Sequence, residues 1–317
     1  MLLAALIVGS FVGTSPQAAA APKTDGAYRP LGVNERGMAV FERPRDHARV
    51  VWIAAGSFAQ NGYFPRETSE PEHESKLVDG FAIDETEVTN RQFAEFLNAT
   101  GSDVDERGRK LVEPVESGLE QIDSAEGKNW RPCAACESLP ALGVTGFGAL
   151  AYARWVGGDL PRLPEWQKAA SGPSGLIFPW GSEKPDGTRA NYRRGGPDMP
   201  MPVGSYRAGA SPYGVLDMAG NVYERVYTRR GGGPEMPVMI RGGSWASPSP
   251  LNLRTFDLCM QPMEVADRTV GFRCVVREGA GLPVAPTEKL RFAHSWRDCG
   301  KARLGYAAAP RRCRRSP

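Results

Sequence analysis

Apolar residues recur along this chain in short bursts, and several of those bursts have the spacing of regular structure. Val50 to Phe58 reads as a strand interrupted at Gly56, and Leu77 to Ile83 as a second short strand. Thr89 is placed to cap a helix with Phe93, Phe96 and Leu97 on one face, closed near Gly101. A second helix is predicted after Thr145, with Phe147, Leu150, Ala151 and Trp155 aligned and Gly157-Gly158 ending it. Pro164 then suits the first turn of a third, short helix, with Glu165 favourable at its positive end. The polar stretch 102–140 carries almost no periodic apolar signal and reads as an inserted loop. From Phe178 to Val276 the chain is mostly turns, so its order must come from specific hydrogen bonds, buried aromatics or ions.

Composition sharpens this picture. Of 317 residues, 37 are Gly and 27 are Pro, spread through aromatic-bearing segments, which favours a loop-rich α+β domain over a helical bundle. The three histidines, His47, His73 and His294, have no metal-ligand spacing. There is no G-x-S-x-G elbow and no phosphate-binding glycine loop, so hydrolase and nucleotide chemistry lack support, and nothing suggests a nucleic-acid partner. The net charge of +3 divides unevenly: residues 284–317 carry +7 and the remainder −4. That basic tail, ending Arg311-Arg312-Cys313-Arg314-Arg315, reads as solvated, with contact to an anionic surface as the alternative.

Leu2 to Val12 is an apolar run followed by Ala18 to Ala21, small residues suited to signal-peptidase cleavage, although no Lys or Arg precedes Lys23. The run is too short for a membrane anchor. The expectation is a signal peptide over 1–21, a lead-in over 22–48, a folded domain over 49–277 and a basic tail over 278–317, in a secreted or periplasmic protein. Export makes the six cysteines (133, 136, 259, 274, 299 and 313) candidates for disulfides. Cys133-x-x-Cys136 lies in a polar, Pro-bounded stretch. Structural disulfide bonding is favoured there over a redox dithiol or half a metal site.

Several motifs follow one another in order. They are Asp84-Glu85-Thr86-Glu87-Val88-Thr89-Asn90, Leu160-Pro161 with Glu165-Trp166, and Phe178-Pro179-Trp180-Gly181. Next come Tyr213-Gly214-Val215-Leu216-Asp217-Met218-Ala219-Gly220-Asn221-Val222-Tyr223-Glu224, then Arg241-Gly242-Gly243-Ser244-Trp245 and Gly271-Phe272-Arg273-Cys274. Together, over residues 49–277, they resemble the formylglycine-generating enzyme family, or sulfatase-modifying factors. The resemblance implies an α+β fold of C-type-lectin-like type with much irregular structure.

Asp217 to Glu224 has the chemistry of a calcium loop, a carboxylate at each end and Gly220 permitting a sharp turn; a metal-free turn is the alternative. By resemblance, a structural calcium falls on Asp217, Gly220, Val222 and Glu224, and a second site near Asn191, Tyr192 and Asp198. Resemblance also implies a copper ion held by two cysteines five apart after the R-G-G-S motif. Here Ala246 to Val270 contains only Cys259, and one thiol cannot form the pair, so copper and formylglycine generation are not expected.

Three functions remain. The first is an exported oxidoreductase or modifying enzyme of altered chemistry, with Arg254, Asp257, Cys259, Arg268 and Arg273 as candidate catalytic residues above Tyr223 and Glu224. The second is a module binding a protein or small molecule in the groove after Trp245, without chemistry. The third is a subunit of an envelope assembly, touching its partner through the basic tail.

Overall fold

The computed structural model describes residues 28–61, 73–124, 127–227 and 238–277. The signal segment, the basic tail, Cys299, Cys313 and His294 lie outside them. A five-stranded sheet opens the fold. It uses β1 (Arg29–Val33), β2 (Ala39–Glu42), β3 (Arg49–Ile53), β6 (Phe81–Asp84) and β13 (Val275–Arg277), in the order β1-β2-β3-β6-β13, every neighbouring pair antiparallel. Central β3 is apolar on both faces because both are covered. Val51 and Ile53 enter the main core with Trp166, while Val50 and Trp52 pack against Phe41 and Ala82 on the far side. Part of the lead-in therefore belongs to the folded domain as β1 and β2.

The predicted strands appear in divided form. β3 ends at Ile53 and Gly56, at φ 154°, opens β4 (Gly56–Asn61), which pairs with β5 (His73–Val78), so Leu77 to Ile83 spans the end of β5 and the first three residues of β6. The stretch read as an inserted loop carries a hairpin of β7 (Leu119–Ser124) and β8 (Gly127–Pro132). Its few apolar side chains are used: Leu119 and Trp130 are buried in the helical core.

The three helices start where their caps dictate. In α1 (Asn90–Thr100), Thr89 Oγ1 accepts from the Gln92 N–H and the Gln92 side chain accepts from the Thr89 N–H, a reciprocal capping box, and Gly101 at φ 66° ends the helix. In α2 (Gly146–Trp155), Thr145 Oγ1 accepts from the Gly148 N–H. Phe93 of α1 stacks on Tyr152 of α2, Phe96 meets the same ring edge-on, and Tyr152 meets Phe272 edge-on at 5.5 Å. In α3 (Leu163–Ser171), Pro164 occupies the first turn and the Glu165 carboxylate accepts from the Arg162 N–H while binding Arg277 at 2.6 Å.

A second sheet carries the motif-rich half. It comprises β9 (Tyr223–Tyr227), β10 (Val238–Arg241), β11 (Leu258–Gln261) and β12 (Val270–Gly271), in the order β11-β10-β9-β12, with only the β12–β9 pair parallel. Its inner face, through Val226, Met239 and Leu258, shares one core with Trp166 of α3 and Val51 and Ile53 of β3. α3 thus locks the two sheets together. Among the described residues no helix is long and apolar enough to cross a membrane.

Candidate functional site

Alternation along β9 sends neighbouring motif residues to opposite faces. Glu224 points inward. Its Oε1 accepts from Arg273 Nη2 at 2.7 Å, and its Oε2 accepts from Arg273 Nε and from Trp166 Nε1, each at 2.7 Å. Arg273 also donates to the carbonyls of Asp84 and Leu216, and neither side chain of the pair is exposed at all. Arg273, a candidate catalytic residue by sequence, is therefore a core strut that cannot touch a ligand in this conformation.

Two further carboxyls share this buried field. Asp217, itself at φ 57°, accepts from the Gly204 N–H at 2.5 Å and lies beside Glu87. Burial pushes the Glu87 carboxyl well above the ordinary range and the Asp217 charge pushes it further, against a lowering pull from Arg273. Asp217 is raised too, chiefly by burial. Asn221 connects the group to the next motif, donating to Glu87 Oε1 at 2.9 Å and meeting the Asn191 amide at 3.3 Å.

These contacts test the calcium loop. Gly220 does come against Asn191, and Asn191 O accepts from the Asn221 N–H at 2.8 Å. Tyr192, however, donates its hydroxyl to Pro185 O and packs with Phe178, Ala219 and Leu253. The Glu224 charge is already met by a guanidinium. No group of three or more His, Cys, Asp or Glu side chains among the described residues is arranged to hold a metal ion. Of the Asp217, Gly220, Val222 and Glu224 set, Glu224 is thus bound by Arg273 in this structure, and the calcium assignment rests on the family resemblance alone.

The stretch after β10 forms the other candidate centre. Gly242 and Gly243 have φ 89° and 76°, and Gly243 lies so close to the carbonyl of Asn252 that a Cβ would stand 3.0 Å from it. That turn folds residues 244–257 over the end of the sheet. Arg241 lies beneath, donating to Thr255 O at 2.5 Å and flanking the Trp166 ring at 5.7 Å. Burial lowers it to about 9, with Asp257 opposing the shift. Asn252 Nδ2 donates to Asp257 Oδ2 at 3.1 Å, and Arg254 Nη2 stands 3.9 Å from Asp257 Oδ1 with its guanidinium over Phe256. Ser247 Oγ lies 3.4 Å from the Tyr223 hydroxyl and accepts from the Ser244 N–H.

Of the other sequence candidates, Arg254 and Asp257 are brought together, Cys259 is half-buried on β11 against Tyr223, Ile240 and Val270, and Arg268 is exposed with its guanidinium over Trp245. Tyr223 joins the two groups, its ring with Cys259 and its hydroxyl with Ser247. Sequence reading missed Ser247 and Asn252, buried polar side chains in a Ser/Pro-rich turn, and Asn252 Oδ1 accepts no hydrogen bond there. Their signal was polar residues directly after a close-packed glycine pair. The donors in this turn are hydroxyl, amide, carboxylate and guanidinium. Such a set does not suit the soft copper ion that the family resemblance implies.

Cys274, the other described cysteine of the motif region, is a buried thiol whose backbone N–H donates to Asp84 Oδ2 at 2.9 Å. Burial and Asp84 together push it well above its usual range. It sits behind Arg43, Asp46 and Asp84, in the first sheet's own ion network.

Residues 38–278 match the family model described as the sulfatase-modifying factor enzyme 1-like domain. The chain is 32% identical over 248 residues to the serine/threonine-protein kinase Pkn1 of Chlamydia trachomatis, covering 71% of this chain and 38% of that protein. It is 33% identical over 236 residues to a formylglycine-generating enzyme of Streptomyces coelicolor, covering 62% of this chain and 74% of that one. In structure it resembles PvdO from Pseudomonas aeruginosa, with a TM-score of 0.55 at 24% identity over 75% of this chain and 97% of that chain. The chain spans under two fifths of the length of the kinase it matches.

Proposed function

The chain belongs to the sulfatase-modifying-factor family, whose fold it has, and from that premise we propose that it is an exported member acting in the groove after Trp245 by chemistry that does not use a copper-bound thiol pair. Export is supported by the apolar run Leu2 to Val12 and the small residues Ala18 to Ala21.

One observation carries the reading of the chemistry. Between Ala246 and Val270 the chain has a single thiol, Cys259, and the remaining polar side chains that converge there are Tyr223, Ser247, Asn252, Arg254 and Asp257. Hydroxyls, an amide and a carboxylate–guanidinium pair can bind and orient a polar ligand and move protons. They cannot replace a second thiolate. The working assignment is an oxidoreductase-like or modifying enzyme of the envelope, with the half-buried Cys259 and exposed Arg268 as the side chains a ligand can reach and Tyr223, Ser247, Asn252, Arg254 and Asp257 as the buried polar layer that supports them.

The test is incubation of the purified chain, supplied with copper, with a C-x-P-x-R peptide. No conversion of the peptide cysteine to formylglycine is expected. Separately, Asn252→Ala and Tyr223→Phe should weaken binding of whatever polar ligand protects the wild-type chain in a thermal-shift screen. A screen in which both variants respond to that ligand as the wild type does would remove the groove from the proposal.

A further inference from the structure

We propose that Cys133 and Cys136 form a reversible dithiol–disulfide site, open to exchange with a thiol co-reactant of the glutathione type, and do not serve as a structural staple.

Three observations carry it. The two cysteines sit at the corners of a tight turn, their Cα atoms 5.1 Å apart, within the span a disulfide bridges. Both are only half-buried, and Ala134, Ala135 and Glu137 around them are exposed, which puts the pair at the surface where exchange with a thiol takes place. Finally, the turn does not depend on a covalent link for its shape. The Cys136 N–H donates to Cys133 O at 2.9 Å, the Cys133 N–H to Gly118 O at 2.8 Å, and the Asn90 amide to Cys136 O at 3.1 Å. Ring closure over so few residues also removes little entropy from the unfolded chain, so a staple here would stabilise less than any long-range bridge.

Those bonds hold the reduced thiols in bonding range, so the ring can close and open without refolding. The same segment supplies the carbonyls of Leu139 and Glu137 to the N–H groups of Asn90 and Arg91, tying the turn to the start of α1. In reduction, a co-reactant thiolate attacks one Sγ, the Cys133–Cys136 bond breaks, and a mixed disulfide forms with release of the other thiolate. A second thiol then displaces the chain's remaining sulfur. Two electrons and two protons enter the cysteine pair, and the co-reactant leaves as its own disulfide.

The full chain would be equilibrated under native conditions in glutathione buffers of graded ratio, quenched with acid, alkylated, and the peptide holding both cysteines weighed. The ratio of reduced to oxidised pair should rise in proportion to the square of reduced glutathione divided by oxidised glutathione. Complete reduction by dithiothreitol should lower Tm by no more than about 5 °C. A pair that resists dithiothreitol until the protein is denatured, or that stays reduced at every ratio, overturns the proposal. The C133S/C136S double variant should fold with the Tm of the reduced wild type; failure of that variant to fold would identify a staple and sink the idea equally.

Discussion

Arg273 and Glu224 meet as a two-point ion pair, both contacts 2.7 Å long and both side chains wholly shielded from solvent. The arginine comes from Gly271-Phe272-Arg273-Cys274 and the carboxylate from the start of β9, so the pair clamps the end of the domain's motif region to its centre. Trp166 completes the clamp by donating its indole N–H to the same carboxylate.

Removing one partner leaves an unpaired buried charge. Arg273→Met or Glu224→Leu alone should each cost about 3–5 kcal/mol of stability. The double variant should cost clearly less than the sum of the two, since both charges go together. Urea unfolding of the four proteins measures the coupling. Additive losses would mean that the pair does not act as a unit.

Glu87 gives the protein a pH dependence of opposite sign to that of ordinary salt-bridged carboxylates. Its carboxyl is raised well above the usual range by burial and by Asp217. A raised folded-state value means that the proton stabilises the fold. That contribution is complete below the unfolded value near 4.5 and is lost as pH rises through the folded value. Glu87→Gln keeps the acceptor for Asn221 and removes the titration. Its Tm should exceed the wild type's at pH 8 and converge with it near pH 4. A variant less stable than the wild type throughout would show that the ionised carboxylate is what the site requires.

Gly148 packs in the first turn of α2 with no room for a side chain, since a Cβ there would land on the carbonyl oxygen of Leu111. Gly148→Ala should therefore destabilise by about 1–3 kcal/mol even though alanine is the better helix former. Gly157, at φ 79° with open space around it, is the contrast: Gly157→Ala pays only for its backbone conformation. Thermal melts of the two variants check the order, and equal losses would contradict it.

Thr89→Ala removes the N-cap of α1 while leaving Gln92 in place. The loss should be about 0.5–2 kcal/mol, and Thr89→Ser should recover most of it. Equal stabilities for the alanine and serine variants would mean that the capping box contributes nothing.

How far the sequence could be read follows from what each element relies on. The helices were legible because local signals set them: Thr89 and Thr145 cap, Pro164 starts and Gly101 stops. β1 was not. It is an edge strand whose residues are mostly exposed and whose register slips between Pro30 and Gly32, so it carries no apolar alternation. The β7–β8 hairpin escaped for the same reason: among its described side chains, Leu119 and Trp130 are the ones buried in the core. At the site, the spacing of Asp217 and Glu224 suggested a metal. What spacing cannot display is that Arg273, 49 residues further on, arrives at Glu224. Arg254 and Asp257 were candidates because they are charged residues in the stretch after Arg241-Gly242-Gly243-Ser244, whereas Ser247 and Asn252 look like ordinary loop residues until burial sets them apart.

The proposed function has this family member working without a thiol pair. The measurement that tests it most directly is mass analysis of a C-x-P-x-R peptide after incubation with the copper-supplied chain and oxygen. The peptide cysteine should emerge unchanged, with Cys259→Ser indistinguishable from the wild type. Conversion of the peptide to formylglycine, abolished in Cys259→Ser, would contradict it.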